Sequence, residues 1–288
     1  MRIAKWNDYE LIDASDSERL ERFGNIILIR PDPQIIWKTP KTNPLWHNAH
    51  ARYHRSKNGG GKWEMLKKVP DVWNIKYDDM VLRLKTMGFK HTGVFPEQAV
   101  NWEFSKNKIK SAKRKVKVLN LFAYTGAATL AAASAGAEVC HVDASKGMVL
   151  WAKENAVASG LRDKPIRWIV DDCIKFVKRE IRRGNKYDGI IMDPPSYGRG
   201  PSGEIWKLEE ELFDFVQLCS ELLSDDALFF ILNSYTTGLS PSVMEYLLGA
   251  VIKSKKGGAV SCSEIGLPVT ESGMALASGS TAIWQSGK

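Results

Sequence analysis

The sequence predicts an α/β fold, a mostly parallel sheet with helices on both faces, preceded by a smaller β-rich domain. Two observations carry this expectation. From Val116 onward, apolar strand-like runs alternate with helical runs, and that alternation implies parallel strands joined by crossover helices. Before that point the chain reads as short β-rich segments broken by proline and glycine turns. The polar, basic stretch SKNKIKSAKRKVK (Ser105–Lys117) marks the change, so the expected domains are 1–112 and 113–288.

In the first domain, SERLERFGNIILIRPDPQIIWK reads as a short helix from Ser17 that becomes strand-like from Asn25. The runs IILIR and QIIWK are β-rich and are split by the turn signal PDP. Lys41 to Gly61 is polar and ends in the turn NGGGK. From Trp63 to Phe104 the chain alternates, as in WNIKYDDMVLRLK, which predicts a meander of short antiparallel strands.

In the second domain, KVLNLFAY is a strand and GAATLAAASAGA a helix of strong helix formers. EVCHVDAS is a strand, and KGMVLWAKENAVASGL an amphipathic helix stopping at Gly160, a C-cap residue. PIRWIVDD, CIKFVKREIRRGN and YDGIIMDPP continue as strand, helix and strand. WKLEEELFDFVQLCSELLSDD is a long helix, ALFFILNSY a strand and PSVMEYLLGAVIKSKK a helix. AVSCSEI and STAIWQ close the chain as an edge hairpin, which brings the strand count of this domain to seven.

Composition bounds the function. The chain is 44% hydrophobic and 26% charged, ordinary globular values. Its longest small apolar run, LAAASAGA, falls far short of the roughly 20 residues of a membrane span. The N-terminus carries acids and no apolar core, unlike a secretory signal. Four scattered cysteines without a C-x-x-C pair point to reduced thiols and a cytoplasmic setting. Up to Lys115 there are 23 Lys+Arg against 13 Asp+Glu, a charge of +10, and beyond it 18 against 20, a charge of −2. That asymmetry fits a nucleic-acid-binding extension on a catalytic domain, or a solvated basic surface, and charge alone does not separate the two. His47, His50 and His54 cluster without a fourth ligand nearby, so no metal is expected.

The strand ends carry the chemistry. In an open α/β sheet, residues at the carboxyl ends of consecutive strands converge on one crevice. AYTGAAT after the first strand places Gly126 where a tight turn and close backbone approach are needed, though a plain strand-to-helix turn reads the same way. Asp143 ends the next strand, placed to accept from a ribose diol or to cap a helix. Asp171 and Asp172 end the third. Asp193, Pro194 and Pro195 end the fourth, followed by Ser196, Tyr197 and Arg199. Two consecutive prolines fix two φ angles and remove two donors, which makes this last loop rigid.

Taken together, NLFAYTGAAT, HVDAS, VDDC and MDPPSY resemble the motifs of class I S-adenosylmethionine-dependent methyltransferases, in order and at matching spacing. The likeness is nearest to the bacterial large-subunit ribosomal-RNA methyltransferases with a D-P-P-x-[FY] motif, whose T-G-x-F-x-x-Q segment has its counterpart in TGVFPEQAVNW. The resemblance spans about Lys85 to Trp284. It implies a Rossmann-like, seven-stranded catalytic domain that binds S-adenosyl-L-methionine. Gln98, Phe122, Tyr124, Gly126, Ala127, Asp143, Ala144, Ser145, Asp172, Cys173 and Asp193 would line the cofactor, with Asp143 on the ribose and Asp172 on the adenine amino group. Asp193, Pro194, Pro195 and Tyr197 would face the target base. Ser196 and Arg199 would touch phosphate or ribose.

The chain departs from this family at one telling place. Members that methylate carbon 5 of cytosine carry a nucleophilic cysteine at the end of the fifth strand, whereas here Asn233 and Ser234 stand in FFILNSYTTG. The expected reaction is therefore methylation of a base nitrogen, in RNA and most simply ribosomal RNA. The competing readings are action on DNA, protein or a small molecule, and a cofactor-binding RNA assembly factor without turnover. Monomer and dimer both remain open.

Overall fold

The computed structural model describes residues 1–56, 60–199, 205–236 and 238–287, with Arg199 in its backbone alone. In chain order the strands and helices are β1 (Arg2–Ile3), β2 (Tyr9–Ser15), β3 (Glu18–Phe23), β4 (Ile26–Pro31), β5 (Ala51–Arg55), β6 (Gly61–Met65), β7 (Trp73–Tyr77), β8 (Met80–Leu84) and α1 (Ala99–Ser111). They continue as β9 (Lys117–Leu121), α2 (Ala127–Ser134), β10 (Glu138–Asp143), α3 (Lys146–Ala158), β11 (Ile166–Val170), α4 (Cys173–Arg182) and β12 (Gly189–Met192). The last are β13 (Tyr197–Arg199), β14 (Ile205–Lys207), α5 (Leu208–Glu221), β15 (Phe229–Ser234), α6 (Pro241–Leu248), α7 (Ser254–Lys256), β16 (Ala259–Pro268) and β17 (Ala275–Gln285). Two compact units divide the chain. One is Met1–Arg2, Gln98–Ile265 and Ser278–Lys288, and the other is Ile3–Glu97 with Gly266–Ala277.

The smaller unit is built on a five-stranded sheet ordered β2-β3-β4-β5-β6, beside a β7–β8 hairpin. The helix expected from Ser17 is instead strand β3. Asp16 and Ser17 both have positive φ, +52° and +61°, and Ser15 pairs with Glu18 across them. A two-residue turn with both φ positive matches the twist of a hairpin, so the segment folds back as a strand. QIIWK is not a strand. Its carbonyls take the turn's donors instead, Asp16 N–H to Trp37 O at 2.8 Å and Ser17 N–H to Ile35 O at 2.9 Å. The core of this unit encloses the Arg30–Glu21 ion pair: Glu21, fully buried, accepts from Arg30 Nε at 2.6 Å and from the Tyr9 hydroxyl at 2.7 Å.

The larger unit holds an eight-stranded sheet ordered β1-β16-β17-β15-β12-β9-β10-β11. Seven strands were expected there, and β1 is the eighth. Strands β15, β12, β9, β10 and β11 run parallel, and β17 runs antiparallel to β15. Alternate strand residues feed two apolar layers. Leu119, Leu121, Phe230 and Leu232 pack on one face with Phe176 and Phe215, and Val118, Phe229 and Ile231 pack on the other with Ile109. The chain starts at β9, runs outward through β10 and β11, and returns to β12 on the other side of β9. This switch point is where a doubly wound sheet opens a crevice at its carboxyl edge.

The structure departs from expectation in this unit before β9 and after β12. Ala99–Ser111 is helix α1, not part of the meander, because Trp102, Ser105, Lys106 and Ile109 recur at three and four residues and face inward. The basic stretch Ser105–Lys117 is the second half of α1 and the turn into β9, and the compact units part at Gln98. After Asp193 the chain also forms a small β13–β14 hairpin, with Tyr197 opposite Lys207 and Gly198 opposite Trp206. The helix expected from Trp206 therefore starts at Leu208. The NGGGK turn falls partly outside the described residues.

Candidate functional site

The turn after β9 is held in an unusual shape. Phe122, Tyr124 and Gly126 all have left-handed backbone, with φ of +53°, +51° and +85°. Only glycine takes that region at no cost, so the two aromatic residues must be held by their surroundings. Those surroundings are specific. Phe122 N–H donates to Cys173 Sγ at 3.4 Å, Ala123 N–H to Val142 O at 3.1 Å and Tyr124 N–H to Asp143 Oδ2 at 2.8 Å. From below, Asn155 Nδ2 donates to the Thr125 carbonyl at 2.9 Å. A Cβ at Gly126 would lie 2.9 Å from the Ala152 Cβ, so the turn sits directly on α3.

Asp143 ties this turn to the next one. Its second oxygen, Oδ1, accepts from Ser145 N–H at 2.8 Å, across Ala144. Burial pushes its carboxyl above the usual range, and the two backbone donors oppose that rise. The N-cap of α3 is Ser145, whose Oγ accepts from Met148 N–H at 3.4 Å. At the end of β11, Asp172 caps α4 through Oδ1, which accepts from Lys175 N–H at 2.9 Å. Asp171 is engaged by Arg179 and by the Asp172 N–H.

The segment after β12 is clamped from behind. Asp193 is half-buried and Pro194 buried, while Pro195, Ser196 and Tyr197 are exposed, Tyr197 by 52%. The Trp206 indole N–H donates to the Pro195 carbonyl at 2.6 Å, and Leu208 N–H donates to Ser196 O at 3.1 Å. Ser196 Oγ lies 2.5 Å from Thr236 Oγ1, beyond the end of β15. The Trp206 ring packs against Phe122 at 5.4 Å and Phe215 at 5.7 Å, so it touches the first turn as well. The expected contact of Arg199 with phosphate or ribose concerns a side chain outside the described residues.

At the end of β15 stands a buried amide cluster. Asn101 Nδ2 is 2.9 Å from both Gln98 Oε1 and Asn233 Oδ1, and Gln98 Nε2 donates to the Tyr235 hydroxyl at 2.8 Å. Arg2 Nη1 donates to Asn101 Oδ1 at 3.1 Å. None of the four cysteines lies at the end of β12 or β15. Burial raises the thiols of Cys140, Cys173 and Cys219, that of Cys140 to about 11. Cys262, half-buried, donates to Glu245 Oε2 at 2.9 Å.

In the smaller unit the histidines are spent elsewhere. His50 Nδ1 accepts from Ile27 N–H at 3.0 Å, His54 Nε2 lies 2.7 Å from the Glu64 carboxylate, and His47 ends a 3₁₀ turn.

A family model described as S-adenosylmethionine-dependent methyltransferase matches residues 38–231. The chain belongs to this family. A solved member, the SAM-dependent methyltransferase from Agrobacterium tumefaciens, is 38% identical with a TM-score of 0.93, covering 99% of this chain and 92% of that one. Among curated proteins, the ribosomal RNA large subunit methyltransferase K/L of Shewanella sediminis is 34% identical over 236 residues, 77% of this chain and 29% of its own length. The protein of the same name in Pseudoalteromonas atlantica is 31% identical over 228 residues, 68% of this chain and 30% of its own length. The chain thus spans less than a third of these curated relatives.

The donor and acceptor set suits the family's cofactor. S-adenosylmethionine presents a ribose diol, an adenine amino group and an ammonium group, all hydrogen-bond donors. Asp143, Asp172 and Asp193 stand at or just past the carboxyl ends of β10, β11 and β12, and a carboxylate oxygen that accepts one backbone donor retains a further lone pair. The missing side chain at Gly126 lets this turn pack directly on α3, where a Cβ would meet Ala152.

Sequence reasoning located the turn residues but not what pins them. Trp206, Asn101, Asn155 and Tyr235 gave no signal, because each acts through a partner that no local pattern marks: Pro195, Asn233, Thr125 and Gln98. No helix among the described residues is long and apolar enough to cross a membrane.

Proposed function

We propose that the protein methylates a base nitrogen of ribosomal RNA, with S-adenosyl-L-methionine as methyl donor. One observation carries the choice of atom. Asn233, buried and bonded to Asn101, occupies the strand end where carbon-5 chemistry needs a thiolate. The names of the curated relatives support ribosomal RNA as the substrate.

The donor supplies a methyl group made electrophilic by its sulfonium. What the chain supplies is position, since an in-line transfer depends on holding the nucleophile within reach. In this reading Asp143 accepts from the ribose hydroxyls and Asp172 from the adenine amino group. Gln98, Phe122, Tyr124, Gly126, Ala127, Ala144, Ser145 and Cys173 line the rest of the donor site. Asp193 accepts from an amino group of the target base and turns its lone pair toward the methyl. Tyr197 stacks on that base once it leaves its helix. Pro194 and Pro195 keep both residues in register. The β-rich domain contributes RNA contacts, the larger domain carries the transfer, and four unpaired thiols suit a cytoplasmic setting.

The test is nucleoside mass spectrometry of ribosomal RNA from cells with and without the protein. Loss of one N-methylated nucleoside supports the reading. Loss of a 5-methylcytidine, or no change in the RNA, overturns it.

A further inference from the structure

The chain's positive charge is distributed by compact unit in a way the linear count hides. The smaller unit carries 16 Lys+Arg against 13 Asp+Glu, a charge of +3, and the larger unit 25 against 20, a charge of +5. Seven of those 25 cations fall between Lys106 and Lys117, a stretch without a single acid. Remove it and the larger unit would stand at 18 against 20, or −2.

This stretch lies at the edge of the sheet opposite the crevice. It leaves α1 through Lys113, a left-handed residue at φ +50°, and enters β9 at its amino end, Lys117. Lys117 sits opposite Glu138 at the start of β10, and its carbonyl accepts from Asp188 N–H at 2.7 Å just before β12. The same edge receives Arg167 and Lys186, but there each cation is already engaged: the cavity of about 430 Å³ that they line with Lys117 is also lined by Glu138 and Glu180, Arg167 pairs with Glu180 at 3.3 Å, and Lys186 Nζ donates to Glu221 O at 2.6 Å. The acids of this unit that end strands, Asp143, Asp171, Asp172 and Asp193, are all at the other edge.

Helix dipoles explain only part of this. Lys108 and Lys110 lie in the last turn of α1, where cations complement the carbonyl end. Lys113, Arg114, Lys115 and Lys117 lie past it. Arg114 has a structural task, bonding Asp188 at 3.1 Å and the Asp226 carbonyl at 2.6 Å. Lys110, Lys113, Lys115 and Lys117 are exposed and form no ion pair among the described residues. We propose that this amino edge is a phosphate-binding surface for RNA, running from Lys110 along the turn through Lys113 and Lys115 to Lys117. The five residues of β9 put it roughly 16 Å from the crevice, at about 3.3 Å per residue. It therefore grips backbone remote from the target nucleotide and adds affinity without base choice. The inference rests on RNA being the substrate.

The test uses the full chain and a fluorescein-labelled transcript of large-subunit ribosomal RNA, with anisotropy titrations from low to high KCl. The variant Lys110→Gln/Lys113→Gln/Lys115→Gln/Lys117→Gln should bind about tenfold more weakly or worse, with a salt slope lowered by roughly 3, since each phosphate contact releases close to one counterion. Its affinity for S-adenosylhomocysteine should be unchanged, which also reports folding. The Lys→Arg version of the four should restore RNA binding. Should the fourfold variant misfold, Lys113→Gln/Lys115→Gln carries the same expectation at about half the slope change. Unchanged slope in a folded glutamine variant, or equal weakness in the arginine one, overturns the surface. Failure of the wild-type protein to bind the transcript overturns the RNA reading itself.

Discussion

The indole N–H of Trp206 donates to the carbonyl oxygen of Pro195 at 2.6 Å, while the same ring packs on Phe122 at 5.4 Å. One side chain thus holds both the proline loop after β12 and the turn after β9, the two segments proposed to face the target base and the methyl donor. Trp206→Phe keeps the ring contact and loses the hydrogen bond, worth about 0.5–1.5 kcal/mol. Turnover should fall by up to about tenfold with S-adenosylhomocysteine affinity retained. Trp206→Ala should lose both. Calorimetric titration beside single-turnover rates checks the split.

Asp143 holds two backbone donors, Tyr124 N–H and Ser145 N–H, each at 2.8 Å. In Asp143→Ala both lose their acceptor, and leaving one buried polar group unmet costs about 1–3 kcal/mol. Cofactor affinity should fall by at least tenfold and the melting temperature should drop with it. Calorimetry and thermal unfolding on the same preparation measure the two effects, and a folded variant with unchanged affinity would remove Asp143 from the site.

The Arg30–Glu21 pair in the smaller unit sets an acid limit. Burial by itself would raise the Glu21 carboxyl, but Arg30, with Arg19 and the Tyr9 hydroxyl, outweighs it and leaves the group below its usual range. A depressed carboxylate contributes stability above its unfolded value, near pH 4.3, and that stability is lost as pH falls through the folded value. The melting temperature should therefore decline below about pH 4, and less steeply in Glu21→Gln. Arg30→Met should cost about 3–5 kcal/mol at neutral pH, because it strands a buried charge.

Much of the fold was legible because its signals are local. Alternating strand and helix from Val116, the glycine turn at Gly126 and the acids at strand ends each need only a short window of sequence. What escaped either broke a local rule or was set by partners far along the chain. The Asp16–Ser17 turn lacks the glycine that usually marks a two-residue hairpin, so β3 read as helix. Helix α1 was hidden because Asn101, Ser105 and Lys106, polar residues, fill much of its buried face. The amide cluster of Gln98, Asn101 and Asn233 joins positions 132 residues apart, and no spacing rule anticipates it.

The central claim is methyl transfer to a base nitrogen without a cysteine nucleophile. Its most direct measurement is mass spectrometry of nucleosides after incubating deproteinised large-subunit ribosomal RNA with methyl-deuterated S-adenosylmethionine, using the wild-type protein and a variant with all four cysteines replaced by alanine. The account predicts a deuterated N-methyl nucleoside with both proteins, provided calorimetry shows that the variant still binds S-adenosylhomocysteine. A deuterated 5-methyl pyrimidine that disappears with the cysteines would contradict it.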